Sequence, residues 1–169
     1  MTQTADKSLV LDAGQVDQKI RRMAYEIYEN NFSEKKIVLA GIDGQGYVLA
    51  QLLETELKAI SPLTTILVKV SLDKTASRQS EITLDKPVKE FAKKCIVLVD
   101  DVLNTGRTLA YGMKPFMETE IAKLEVAVLV NRSHTLFPIE PTYSGYALST
   151  ALHEHVEVKL GKHAAVYLR

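Results

Sequence analysis

Hydrophobic positions in this chain come in two rhythms that alternate along its length. Between residues 12 and 30, Val16, Ile20, Met23, Ala24, Ile27 and Tyr28 recur at helical spacing, with Arg21, Arg22, Glu26 and Glu29 on the other faces. That spacing predicts an amphipathic helix covering a sheet, its two arginines read as solvated charges. Residues 37–41 are a short apolar run that predicts a strand ending in Gly41-Ile42-Asp43-Gly44-Gln45-Gly46. A helix with Leu49, Leu52, Leu53, Leu57 and Ile60 turned inward follows, and residues 64–70 predict the next strand. Residues 71–90 have no clear period. Their polar residues, among them Asp73, Lys74, Ser77, Arg78, Gln79, Ser80 and Glu81, predict a mobile excursion or a hairpin of the kind that forms a lid.

The most informative stretch comes next. Ile96 to Val99 has the length and β-branching of a buried parallel strand and stops at two adjacent carboxylates, Asp100 and Asp101. Asn104, Thr105, Gly106 and Thr108 precede an apolar helical stripe of Leu109, Met113, Phe116 and Met117. A helix over residues 105–120 is predicted, with a kink or break near Lys114 because Gly112 and Pro115 oppose it. Residues 124–130 predict another strand, ending in Asn131-Arg132-Ser133-His134. Val156, Val158 and Leu160, then Ala164, Val166 and Leu168, alternate as strands do, with Gly161-Lys162 between them as a hairpin turn. Strands and helices in this alternation predict an α/β fold with an open, mainly parallel sheet flanked by helices.

Composition narrows the picture. A chain of 169 residues predicts one domain over 1–169, and 46% hydrophobic with 25% charged residues is ordinary for a globular protein. The 21 basic and 21 acidic residues cancel, so no global field draws the chain to nucleic acid or to an anionic membrane. Cys95 is the only cysteine, which excludes an internal disulfide and a cysteine-based zinc site, and its place between Lys94 and a strand predicts a buried or half-buried structural thiol. His134, His153, His155 and His163 have no acidic or cysteine partner at a metal-ligand spacing. A polar N-terminus without a signal peptide, and no apolar run approaching the ~20 residues of a membrane span, predict a cytoplasmic protein with no membrane partner.

In an open α/β sheet, ligands collect at the carboxyl ends of the strands, so the turns after residues 41, 101 and 130 belong together. Free backbone N–H groups at a helix start, with Gly106 and two threonine hydroxyls, suit a phosphate dianion. Carboxylates just before them suit vicinal hydroxyls. Asp100 and Asp101 with this turn fit a ribose 5-phosphate.

Val97-Leu-Val-Asp-Asp-Val-Leu-Asn-Thr-Gly-Arg-Thr-Leu109 resembles the signature by which type I phosphoribosyltransferases bind phosphoribosyl pyrophosphate. Val128-Leu-Val-Asn-Arg-Ser-His-Thr-Leu-Phe-Pro-Ile139 and Pro141-Thr-Tyr-Ser-Gly145 also resemble that family, nearest its bifunctional pyrimidine-operon attenuators with uracil phosphoribosyltransferase activity. The resemblance implies a Rossmann-like sheet with a small hood from the chain ends. It implies Asp100 and Asp101 on the ribose and acting in catalysis, and Asn104, Thr105, Gly106, Arg107 and Thr108 around the 5-phosphate. It makes Ile42, Asp43, Gly44, Gln45 and Gly46 the pyrophosphate loop, gives Lys74 and Arg78 to the flexible loop, and puts Asn131 and Arg132 at the base.

Mg²⁺ is implied on the substrate oxygens, with no direct protein ligand required beyond Asp100 and Asp101, together with a nucleobase and a homodimer or higher oligomer. The chain departs from the pattern twice. Relatives carry lysine or arginine where Asp43 and Gln45 stand, so Lys74 and Arg78 are the cations left for pyrophosphate. Purine-salvage relatives carry an aspartate at Asn104, and an amide accepts no proton at neutral pH. The reading is therefore a uracil-type enzyme. Its alternatives are a purine (hypoxanthine or guanine) enzyme and an RNA-binding regulator with the pocket as sensor, to which the neutral charge lends no support.

Overall fold

A computed structural model describes residues 6–76, 78 and 81–169. Chain order begins with β1 (Ser8–Leu11), α1 (Ala13–Asn30), β2 (Lys36–Ile42), α2 (Gln45–Ile60), β3 (Thr64–Ser71), β4 (Thr83–Leu84) and β5 (Cys95–Leu103). It continues with α3 (Arg107–Gly112), β6 (Lys123–Asn131), β7 (Tyr143–Ala147), β8 (Val156–Lys159) and β9 (Ala165–Leu168). The main sheet has the order β4-β3-β2-β5-β6-β7, parallel except for β4; β1, β9 and β8 form a separate antiparallel sheet. This is the expected α/β architecture, with the hood built from both chain ends.

β5 lies inside the sheet, buried from Cys95 through Asp100. Alternation sends Cys95, Val97 and Val99 into the layer under α1 and α2, and Ile96 and Leu98 into the layer with Phe91, Leu109 and Phe116. α1 starts at a capping box in which the Asp12 carboxylate accepts from Gln15 N and the Gln15 amide oxygen accepts from Asp12 N, both at 2.9 Å. Val16, Ile20, Met23, Ala24 and Ile27 are its buried stripe. Arg22 does more than meet solvent. Its guanidinium donates to the carbonyls of Gly145, at 2.6 Å, and Ser144, covering part of the exposed edge of β7.

One strand boundary differs from expectation, while the break near Lys114 and a hairpin after Ser71 form as expected. β5 runs through the acidic pair to Leu103, because Val102 and Leu103 continue the ladder opposite Val130 and Asn131. Asp100 and Asp101 are thus strand residues with opposite orientations, and not the end of the strand. The helix expected over 105–120 closes as α3 at Gly112 and resumes as a 3₁₀ segment, Lys114–Glu118, the break coming where Pro115 removes a donor. Part of the polar excursion after Ser71 returns as β4, pairing Val70 with Leu84 and Ser71 with Thr83, so a hairpin forms there. Ser77, Gln79 and Ser80 lie outside the described residues.

Candidate active site

Residues at the carboxyl end of β5 surround a cavity of about 400 Å³, lined by Lys74, Asp100 to Leu109 and, from the hood, Val156. Its floor is acidic. Asp100 is 3% exposed, and burial first, with the neighbouring Asp101 charge second, pushes its carboxyl up to about 8 against the pull of Lys74. Its Oδ1 accepts from the Asp101 backbone N at 2.9 Å and meets Lys74 Nζ at 3.3 Å. The only cation on this carboxylate among the described residues comes from the loop before β4, where an Asp73 turn accepts from Thr75 N and Oγ1. Two hard carboxylates beside an ammonium mark a place already suited to a positive charge.

Gly46 explains how α2 reaches this floor. A Cβ there would lie 2.8 Å from Asp100 Oδ1 and 2.9 Å from Val99 O, so only glycine lets the helix start pack on the acid. The rest of the loop stands aside. Ile42 ends β2, and Asp43 is exposed, its Oδ1 taken by Gly44 N at 2.9 Å. Gln45 Oε1 accepts from Leu160 N at 2.9 Å, tying the loop to the hood. Neither Asp43 nor Gln45 lines the cavity.

The turn after β5 is braced from behind. Gly106 has φ +86°, a left-handed conformation that L side chains resist, and a Cβ would press on Ile139 at 3.2 Å. Thr105 O accepts from Leu136 N at 2.8 Å and Phe137 N at 3.0 Å, while the Phe137 ring lies 5.4 Å from the Arg107 guanidinium. Sequence reasoning overlooked this brace. Its signal was Leu136-Phe137-Pro138-Ile139, an apolar run just after the turn at residues 131–134. Thr105, Gly106, Arg107 and Thr108 all line the cavity, and at the start of α3 Arg107 N donates to Thr105 Oγ1 at 3.3 Å.

Of the remaining predicted residues, Arg78 is exposed and outside the cavity wall. Asn131 Oδ1 accepts from Ser133 N at 2.9 Å. Arg132 is 7% exposed, and its guanidinium reaches Thr150, Ala151 and Glu154 of the loop before β8 and Asn104 of the cavity wall. Neither Asn131 nor Arg132 lines the cavity itself. No group of three or more His, Cys, Asp or Glu able to hold a metal exists among the described residues. No described helix is long and apolar enough to cross a membrane.

An acidic pair, an anion-suited turn and a hood residue line one cavity, and the chain belongs to the phosphoribosyl transferase domain family, whose model matches residues 8–160. It is a phosphoribosyltransferase. Among its relatives, the protein called Bifunctional protein PyrR of Fusobacterium nucleatum is 32% identical over 171 residues, spanning 95% of this chain and 97% of that one. Bifunctional protein PyrR 1 of Lactiplantibacillus plantarum is 36% identical over 166 residues, 91% of each chain. Among solved structures, hypoxanthine phosphoribosyltransferase of Trypanosoma cruzi superposes with a TM-score of 0.78 over 96% of both chains at 14% identity, a likeness of fold.

Proposed function

We propose that the chain, acting as one domain, transfers ribose 5-phosphate from phosphoribosyl pyrophosphate to a nucleobase, uracil first, and releases pyrophosphate. The observation that carries this is the contiguity of Asp100, Asp101 and residues 104–108 around a single cavity. The base nitrogen bonds to C1 of the ribose as the C1–O bond to pyrophosphate breaks with its electron pair, and the nitrogen's proton passes to solvent. Positive charge grows on the sugar. Asp100 and Asp101 hold the ribose hydroxyls and stabilise that charge, and the low-dielectric floor strengthens their effect. Thr105, Gly106, Arg107 and Thr108 anchor the 5-phosphate through amides and hydroxyls. Lys74 leaves Asp100 for the pyrophosphate when substrate enters.

The donor set fits Mg²⁺ held with the substrate: Asp100 and Asp101, two hard carboxylates lining one cavity, would hold the ion together with phosphates and water. Bound there, such an ion would supply positive charge to offset that of the departing pyrophosphate.

Uracil is preferred because Asn104 offers no proton acceptor of carboxylate strength, and because the relatives above carry the PyrR name. Those relatives are called bifunctional, which favours a second reading in which the same pocket reports nucleotide levels to an RNA-binding surface. Self-association accompanies either reading. The test is a panel of uracil, hypoxanthine and guanine with phosphoribosyl pyrophosphate and Mg²⁺, following pyrophosphate. Release dependent on uracil supports the proposal. Release with no base in the panel contradicts it, and salt-sensitive RNA binding modulated by a nucleotide identifies the second reading.

A further inference from the structure

We propose that the molecule carries a second anion site, at the amino ends of its parallel strands, for a polyphosphate chain that is either free or the tail of a nucleotide. This site lies outside the transferase reading and does not depend on it. It is a cavity of about 480 Å³ formed by residues 65–67 of β3, by Lys36, Lys86 and Lys94, and by Glu90. No residue is shared with the acidic cavity. Lys36 opens β2 and Lys94 comes just before β5. Asp100 lies six residues beyond Lys94, roughly 20 Å along an extended strand, so the two cavities occupy opposite ends of the sheet.

Charge sets the place apart. Acids and bases balance over the whole chain, 21 against 21, and Lys7, Lys58, Lys74, Lys123 and Lys159 each meet a carboxylate. Lys36, Lys86 and Lys94 are in no ion pair among the described residues, although Glu90 shares their wall. A single unpaired surface lysine is ordinary. Three on one cavity, from three separate segments, make a local positive field in a chain with no net charge. Lys86 and Lys94 are half-buried, which weakens the screening of their mutual repulsion. An anion bridging them relieves it.

The backbone of β3 adds donors. Thr64 N donates to Lys35 O and Val70 O accepts from Asp43 N, which turns the even-numbered residues of β3 toward β2. The odd-numbered residues therefore face the free edge, where β4 pairs only at Val70 and Ser71. Asp85 covers Lys69, accepting from its N at 2.9 Å and donating to its O at 3.3 Å, and Lys86 Nζ donates to Leu67 O. Leu67 N and the N and O of Thr65 are left without partners among the described residues.

An added peptide strand needs alternating donors and acceptors over a longer edge, and Asp85 and Lys86 block it. A small anion needs donors alone. Two amides and three ammonium groups supply them, since Lys86 keeps two N–H bonds beyond the one given to Leu67 O. No arginine fork is present to read a planar carboxylate, and lysines serve phosphate oxygens as point charges. Lysines on three segments are spanned by a chain of phosphates better than by one.

An amide-detected NMR titration of the full chain with sodium tripolyphosphate, without Mg²⁺ and at fixed ionic strength, tests the site. The Thr65 and Leu67 amide signals should move along a saturable curve. Lys36→Gln combined with Lys94→Gln should weaken its midpoint by about tenfold or more and leave any shifts at residues 104–108 as in wild type. That variant keeps the Lys86 bond to Leu67 O, so the edge stays covered, and an otherwise unchanged spectrum confirms the fold. Adenosine triphosphate in a parallel titration distinguishes the sources. An equal midpoint assigns the site to the phosphate chain alone, a tighter one with movement of the Ile66 methyl signals assigns it to a nucleotide, and both support the proposal. Thr65 and Leu67 signals that stay still in wild type, or drift without saturating, overturn it, as does a midpoint that the double variant leaves in place. With neither base nor phosphoribosyl pyrophosphate in the tube, this result stands or falls separately from transferase activity.

Discussion

Two carboxylates are buried at opposite ends of the central sheet, and their surroundings differ in kind. Glu125, near the start of β6, is 8% exposed and sits among permanent donors: Tyr143 OH at 2.9 Å, Asn31 Nδ2 at 3.1 Å and Cys95 Sγ at 3.2 Å, with Lys123 Nζ at 3.7 Å. Burial, and after it the Glu125 charge, pushes the Cys95 thiol up, so it stays protonated and donates. Asp100, near the end of β5, has its neighbour's amide, a second acid and one lysine borrowed from a loop. A buried acid whose donors are part of the core is structure; one whose donors must arrive with a ligand is a site.

Breaking the second arrangement should have the largest consequence. Asp100→Asn with Asp101→Asn is expected to lower kcat/KM by about 10³-fold or more while circular dichroism stays unchanged, as measured by pyrophosphate release. Glu125→Leu should do the reverse. It strands the Tyr143 hydroxyl, the Asn31 amide and the Cys95 thiol, and a loss of about 3 kcal/mol in denaturant unfolding is expected, with the KM for phosphoribosyl pyrophosphate unmoved in whatever fraction folds.

A pH profile sharpens the contrast further. The Asp100 carboxyl is raised in the folded state, so between about 3.8 and about 8 the native protein holds a proton that the unfolded chain has lost. Stability of the ligand-free protein should then fall as pH rises through that window. Asp100→Asn should flatten the slope and make the empty protein more stable toward the upper end of that window, measured as unfolding free energy against pH. The smallest effect belongs to Lys74→Ala. Its side chain is 42% exposed, so the empty protein should lose less than about 1 kcal/mol.

Much of this contrast could be read from residue order, and the part that could not has a common cause. The stripe of α1, the apolar runs of β2, β5 and β6, the break before Pro115 and the strands around Gly161 all follow from local periodicity. That the acids and the turn at residues 104–108 would share one cavity was legible because they are contiguous in the chain. Arg132 on Asn104, Gln45 on Leu160 N and Leu136 and Phe137 behind Thr105 were not legible, because each joins segments brought together only by the fold. β1 was missed for a related reason. Its four residues carry no period of their own and become a strand only against β9 at the far end of the chain. The extension of β5 past the acids is a tertiary effect too, since β6 supplies the ladder that keeps Val102 and Leu103 extended.

Under the proposed function, Asp100 is the acid whose charge changes when substrate binds. Calorimetric titration of the protein with phosphoribosyl pyrophosphate and Mg²⁺ near pH 7, repeated in buffers of different ionisation enthalpy, counts protons exchanged on binding. Wild-type protein should release close to one proton more than Asp100→Asn, because ribose hydroxyls and magnesium favour the carboxylate that burial disfavours. Equal proton counts with equal affinities for the two proteins would contradict it.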